Sequence, residues 1–255
     1  MYNDLLTLGS LTVHGYGLMI GLGIASALLL IWRRAERRGF DMPNTNILLF
    51  LVLVCGFLGA KILFLLVHWD EFLSDPLGAL GSEGFVVYGG IVCAFVAPYI
   101  FCRRHGLSFL SQADCFMPGA ALAQGFGRIG CFLAGCCYGK ETQSVLGVVF
   151  PEGCSAPAGV PLWPVQLFSA GGDFLLAGLL LWLDRKRHAD GLLTGVYLLL
   201  YSIGRFFIEF LRDDPRGKIG FLSTSQFIAL FTAAAAVIVL AVQGKKAKPA
   251  KEIRE

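Results

Sequence analysis

Two arginines, Arg128 and Arg205, stand inside stretches that are otherwise apolar enough for a bilayer. A charge in that setting costs at least about 2.5 kcal/mol on insertion scales and is by default the mark of a functional site. Guanidinium is a permanently charged fork that fits phosphate oxygens in pairs. Two such groups facing one membrane cavity would suit a phospholipid headgroup. Around Arg205 the chain reads YLLLYSIGRFFIEFLRDDPRG (197–217), with Tyr201, Arg205 and Glu209 at i, i+4 and i+8 and Arg212 one turn further. That spacing sets them near one helical face, where Glu209 can fix Arg205 by an ion pair. A third intramembrane cation, Lys61 in GFLGAKILF, has two open readings: it snorkels, or it pairs with an acid.

Around Arg128 the chain reads ALAQGFGRIGCFLAGCCYGKET (121–142), in which Gly125, Gly127, Gly130, Gly135 and Gly139 recur. Small residues let helices approach closely in lipid, or let backbone approach a ligand. No strand precedes them, so they are not a dinucleotide fingerprint. Cys131, Cys136 and Cys137 invite a metal reading. Structural zinc sites, however, pair C-x2-4-C with a second pair elsewhere, and here there is neither that pair nor a nearby histidine. No metal is expected. A disulfide from Cys154 to Cys136 or Cys137 is compatible with an oxidising outer side. Cys55, Cys93, Cys102 and Cys115 complete the eight, most of them inside spans as small hydrophobes. His105 and His188 sit in basic loops and add charge, His68 lies at a membrane edge, and His14 opens the first apolar stretch, where it binds a headgroup or occupies the interface. No Ser-His-Asp or Cys-His arrangement emerges from the spacing, which speaks against a hydrolase.

The elements that must position these residues are membrane helices. Of 255 residues 56% are hydrophobic and 15% charged, and mean hydropathy is +0.68; a soluble domain is about 25% charged. A spanning helix needs about 20 apolar residues, and seven segments qualify, at about 14–32, 46–67, 85–102, 113–137, 163–183, 192–211 and 221–243. MYNDLLTLGS lacks the basic start of a cleaved signal peptide, so the first is read as retained. The basic segments RRAERR, CRRHG, DRKRH and GKKAKPAKEIRE follow the first, third, fifth and seventh of these, so they share one side, and they hold 14 of the 21 lysines and arginines. The positive-inside rule then sets the N-terminus outside and the C-terminus in the cytoplasm. The expected fold is all-α: one multi-pass transmembrane domain over 1–255. The basic tail is a solvated stop signal or touches anionic lipid.

Together these pieces resemble the bacterial prolipoprotein diacylglyceryl transferase family. HGYGLMIGLG (14–23) is similar to its H-x-Y-G-L motif, GFVVYGGIVCAF (84–95) to G-x-x-F-H-G-G, and GRIGCFLAGCCYG (127–139) to the signature G-R-[IL]-G-N-F-x-N-G-E-x-x-G. WPVQLFSA (163–170) is similar to H-P-x-Q-L-Y-E, and YSIGRFFIEFLRDD (201–214) to Y-x-x-x-R-x-x-x-E-x-x-R. The resemblance implies transfer of diacylglyceryl from phosphatidylglycerol, or a related phospholipid, to the lipobox cysteine thiol of a preprolipoprotein signal peptide in the bacterial plasma membrane. No cofactor and no nucleic acid take part. It implies that Arg128 and Arg205 hold the phosphate and stabilise the leaving group, and that Tyr88 stands at the catalytic histidine position. His14, Tyr16, Gly89, Gly90, Gly130, Cys131, Gly135, Gln166, Tyr201 and Glu209 would line or brace the substrates. The nucleophile belongs to the substrate, so the enzyme needs no cysteine of its own.

The departures fall on one half of this pattern. The family histidine is Tyr88, the signature asparagines are Cys131 and Ala134, the signature glutamate is Cys136, and Trp163 stands for a histidine. The loop 140–162 is also short for an extended outer domain. The phosphate-binding half is kept, and the half that activates a thiol and orients a headgroup is rewritten. Three readings remain: the same reaction, a paralogue passing a lipid group to another acceptor, and a non-catalytic lipid-binding or transport protein.

Overall fold

The computed structural model describes residues 4–8, 11–82, 84–186, 188–214 and 217–246. The basic tail beyond 246, with Arg187 and Arg216 of the charge count, lies outside the described residues. Two compact units divide the chain: Met1–Ile31 with Ala113–Glu255, and Trp32–Gln112. Among the described residues six helices are long and apolar enough to cross a membrane. These are α1 (Gly15–Arg37), α2 (Met42–Val67), α5 (Val87–Arg104), α7 (Val165–Leu183), α8 (Leu192–Ile208, continued by a 3-10 turn at Glu209–Leu211) and α9 (Thr224–Lys246). The helix carrying the signature, α6 (Phe109–Ala134), has 26 residues. It is long enough but less apolar, because Gln112, Asp114, Gln124, Arg128 and four glycines interrupt it. Short elements that hydropathy did not announce complete the chain. They are the helices α3 (Trp69–Ser74) and α4 (Pro76–Gly81), a hairpin of β1 (Asp4–Leu8) and β2 (Leu11–His14), and two ribbons, β3 (Val148–Val149) with β4 (Pro161–Leu162) and β5 (Lys218–Ile219) with β6 (Leu222–Ser223).

Helix ends follow local chemistry. Asp41 caps α2 by accepting from the Asn44 amide at 3.1 Å, with Pro43 in the first turn. The start of α8 is capped from a different helix. Buried Asp114 on α6 accepts from the amides of Gly191 and Thr194, each at 2.8 Å, and from the Thr194 hydroxyl at 2.6 Å. A carboxylate there meets orphan N–H groups and the positive end of the helix dipole. His188, expected only to add charge, instead bridges: its Nε2 is 3.2 Å from Asp184 and its Nδ1 3.7 Å from Asp114.

Within the Trp32–Gln112 unit, α2 and α5 pack on glycines. A Cβ on Gly89 would strike the Gly59 carbonyl and Leu63, and one on Gly90 would come 2.7 Å from the Gly56 carbonyl. Lys61 neither snorkels nor pairs with a described acid. Its ammonium donates to the Ser82 carbonyl at 2.7 Å, the Ser82 hydroxyl at 3.1 Å and the Gly84 carbonyl at 3.4 Å. It also stands about 5 Å over the rings of Phe64 and Phe85. Lysine here is a tether for the segment before α5.

In the other unit α8 packs on α7 and α9, and Ala121, Leu176, Leu180, Leu193 and Tyr197 form the core. The glycines of α6 admit its neighbours. A Cβ on Gly23 of α1 would lie 3.0 Å from Phe126, and Gly119 and Gly130 receive Ile31 and Tyr16.

Candidate active site

The C-terminus of α6 is built by its glycine. Gly135 takes φ 64 and closes the helix by donating to the Phe132 carbonyl at 3.2 Å, while Cys136 donates back to the Cys131 carbonyl at 3.1 Å. This is the paired-bond helix stop that a left-handed glycine permits. It brings the third residue from the helix end next to the second residue beyond it. Both are cysteines. Cys137 then repeats the left-handed turn at φ 58, the one non-glycine with positive φ among the described residues. The Sγ atoms of Cys131, Cys136 and Cys137 consequently lie within 4.8 Å of one another. All eight cysteines are free thiols. The Cys154 disulfide is not formed: its thiol donates to the Pro151 carbonyl at 3.2 Å and the Ala156 carbonyl at 3.7 Å.

The segment that follows threads between two others. Lys140 donates to the Leu211 carbonyl at 2.8 Å and accepts from Trp163 at 2.9 Å, and Asp213 donates to the Tyr138 carbonyl at 3.3 Å. Gly139 fits there because any side chain would strike Trp163 and the Leu211 carbonyl. Gln166, buried at 1% exposure, donates to the Cys136 carbonyl at 2.8 Å, so it fixes the turn rather than opening onto substrate through that amide. The loop to α7 is short, as expected, yet has its own core of Phe150, Ala156 and Leu162.

Arg128 and Arg205 line one cavity of about 380 Å³ between α6, α7 and α8. Tyr201 and Asp173 share that polar end. Leu175, Leu176, Leu179, Leu200 and Ile208 line the remainder, while Ser169, Gly172 and Gly204 keep the facing helix surfaces low. Arg205 is held from two sides, by Glu209 at 2.9 Å and by the Ser225 hydroxyl at 2.9 Å. Arg212 makes a bidentate pair with Asp214, at 2.9 and 3.0 Å, and is 4.0 Å from Glu209. Burial raises the Asp214 carboxyl above its usual range although Arg212 pulls it down. The i, i+4, i+8 stripe is thus realised, with Glu209 in the 3-10 turn rather than in α8 itself. Tyr201 stacks on Tyr197, ring centres 5.8 Å apart, and the Tyr197 hydroxyl donates to Gln124 at 2.6 Å.

Other residues singled out in the sequence belong to both compact units. Tyr16 packs on Gly130 and lies in the electrostatic reach of Arg128 and the three thiols. His14 is exposed at the foot of α1. Tyr88, in the first turn of α5, is 40% exposed. Gly89 and Gly90 are buried against α2, where helix packing uses their lack of a side chain.

Asp173 escaped the sequence reading. It is 6% exposed, and its Oδ2 has no hydrogen-bond partner among the described residues. It lines the same cavity as both arginines. Ser169 occupies the position of the glutamate that closes the family's H-P-x-Q-L-Y-E motif, and Asp173 returns a carboxylate to the same helix face one turn later. The signal was present, since an acid inside an apolar span deserves the same scrutiny as a base.

Arg128 and Arg205 are thus two forked cations in one cleft whose other walls are mostly apolar. The chain belongs to the prolipoprotein diacylglyceryl transferase family, whose profile its residues 3–242 match. It is 44% identical over 247 residues to phosphatidylglycerol–prolipoprotein diacylglyceryl transferase 2 of Clostridium perfringens, covering 96% of both chains. Against the phosphatidylglycerol–prolipoprotein diacylglyceryl transferase of Clostridium tetani it is 44% identical, covering 89% of this chain and 92% of that one. With the enzyme of that name from Xanthomonas axonopodis it shares 31%, over 92% of this chain and 89% of the other.

Proposed function

We propose that this chain is a multi-pass transferase of the bacterial plasma membrane that moves diacylglyceryl from phosphatidylglycerol to the lipobox cysteine of a preprolipoprotein. The observation that carries the reading is the cavity in which Arg128 and Arg205 share the polar end and leucines line the rest. The printed names of the relatives carry the same donor and acceptor.

In the step itself the acceptor thiolate attacks the glyceryl carbon bonded to the phosphate ester oxygen. An S–C bond forms, the C–O bond breaks with its electron pair on oxygen, and glycerol phosphate leaves. Charge grows on that phosphate, where preorganised cations are most effective. Arg205, braced by Glu209 and Ser225, and Arg128 supply it. Tyr88 takes or shares the thiol proton. Asp173 Oδ2 accepts a hydrogen bond from a hydroxyl of the headgroup glycerol. Tyr16, Tyr201, Gly130, Cys131 and Gly135 shape the wall, Gln166 braces the turn behind it, and His14 meets a headgroup at the interface.

The same reading takes α6 as a seventh span, with the N-terminus outside, the C-terminus cytoplasmic and the chain working as one transmembrane domain. The charge distribution supports it, as does the full burial of Asp114, the acid that makes α6 polar.

Mass spectrometry of a lipobox peptide incubated with purified protein and phosphatidylglycerol tests the reaction. A thioether-linked diacylglyceryl product is expected. Transfer to another acceptor, or binding without turnover, overturns it.

A further inference from the structure

The three thiols at the end of α6 supply no sulfur to the transfer reaction, whose sulfur comes from the substrate. We infer that Cys131, Cys136 and Cys137 form a binding site for a soft monovalent metal ion such as Cu(I), held by three sulfurs. This goes against the sequence expectation of no metal, which rested on the absence of a second cysteine pair and of a nearby histidine. It does not depend on the transfer reaction.

The geometry is specific. Three sulfurs bound at about 2.3 Å around a trigonal ion stand about 4 Å apart, and these three lie within 4.8 Å of one another. Their convergence is enforced by backbone. The Gly135 helix stop sets Cys136 beside Cys131, and Gln166 pins the Cys136 carbonyl at 2.8 Å. Cys137 is then held at φ 58, a conformation that is strained for a non-glycine residue and persists where its surroundings over-determine it. A thiol serving only as a small hydrophobe does not need that conformation. All three are only partly buried, so an ion has access.

Ligand type selects the ion. Thiolates favour Cu(I) among the soft metals, while structural zinc takes four ligands. Among the described residues no fourth histidine, cysteine or carboxylate joins this group. Charge points the same way. Three thiolates around a monovalent ion leave two negative charges, and the guanidinium groups of Arg128 and Arg212 both act on Cys137.

The test uses the full chain, purified in detergent, reduced under anaerobic conditions and given Cu(I) in competition with a chromogenic chelator. One Cu(I) per chain is expected, with X-ray absorption reporting three sulfur neighbours. Cys131→Ser and Cys137→Ser should each weaken retention at least tenfold, and Cys55→Ser should leave it unchanged. Zinc(II) offered in the same way should not be retained. Failure to retain Cu(I), equal retention in Cys131→Ser, a spectrum without three sulfurs, or equal retention of zinc overturns the inference. The spectrum of the unsubstituted chain decides the matter even if a variant fails to fold. Diacylglyceryl transfer, assayed separately, fails or succeeds independently of every one of these readouts.

Discussion

At the residue scale the two arginines differ in how they are held. Arg205 has an ion pair and a hydroxyl partner, whereas Arg128 shares its cavity with the Asp173 carboxyl and the Tyr201 phenol. Arg128→Lys keeps the charge and loses the fork. Its rate of diacylglyceryl transfer should fall on the order of a hundredfold, as for loss of one preorganised donor. Tyr88→Phe should cause a comparable fall in turnover while phospholipid remains bound, and Tyr88→His should keep or raise transfer to a lipobox thiol. Unchanged rates in both Arg128→Lys and Tyr88→Phe would remove the assigned site. For Asp173→Asn the volume is conserved and the acceptor weakened. Its effect should appear with phosphatidylglycerol and vanish with a donor whose headgroup lacks hydroxyls; equal effects on both donors would exclude the hydroxyl contact. Intramembrane charge made Arg128, Arg205, Tyr201 and Glu209 legible in the sequence, because placing such groups in lipid is expensive. The role of Lys61 was not legible, since its acceptors are main-chain and hydroxyl oxygens of Ser82 and Gly84, which no charge pattern announces.

At the scale of elements, glycines do two opposite jobs. Gly89 lies against the Gly59 carbonyl, so any side chain there separates α2 from α5. Gly89→Val should lower the melting temperature, consistent with an overpacking cost of about 1–3 kcal/mol. Gly204 lines the cavity, and a Cβ there meets nothing within 4 Å. Gly204→Leu should therefore melt like the parent protein yet lose co-purifying phospholipid and activity, which native mass spectrometry and the transfer assay read directly. Loss of the fold in Gly204→Leu, or retention of lipid, would contradict the open space. Long apolar runs gave helix positions to within a few residues. The short helices between Trp69 and Gly81, the ribbons and the helix stop at Gly135 depend on main-chain bonding that hydropathy does not encode. The cysteine spacing across that stop, one in the last turn and two just beyond a glycine, was visible. Its meaning required knowing that the glycine turns left-handed.

For the whole molecule, the testable property is orientation. A fluorescent protein fused to the C-terminus should mature, since it would stay in the cytoplasm, and an epitope at the N-terminus should bind antibody on cells with a permeabilised outer layer only. The opposite pattern would overturn the assignment of sides. Composition alone disclosed a membrane protein. The run 113–137 is one of the seven spans read from the sequence, whereas the polar groups of α6 keep it out of the six helices that are apolar enough to cross by composition.

The cleft between α7 and α8 is walled by side chains that face outward as well as in: Leu175 is 77% exposed, and Leu200 and Leu179 more than a third. A donor reaching the arginines along that wall arrives by two-dimensional diffusion, so the quantity that sets occupancy is its mole fraction in the surrounding amphiphile and not its bulk molarity. Added donor-free detergent, at constant enzyme and constant total phosphatidylglycerol, should slow the reaction in proportion to the surface dilution.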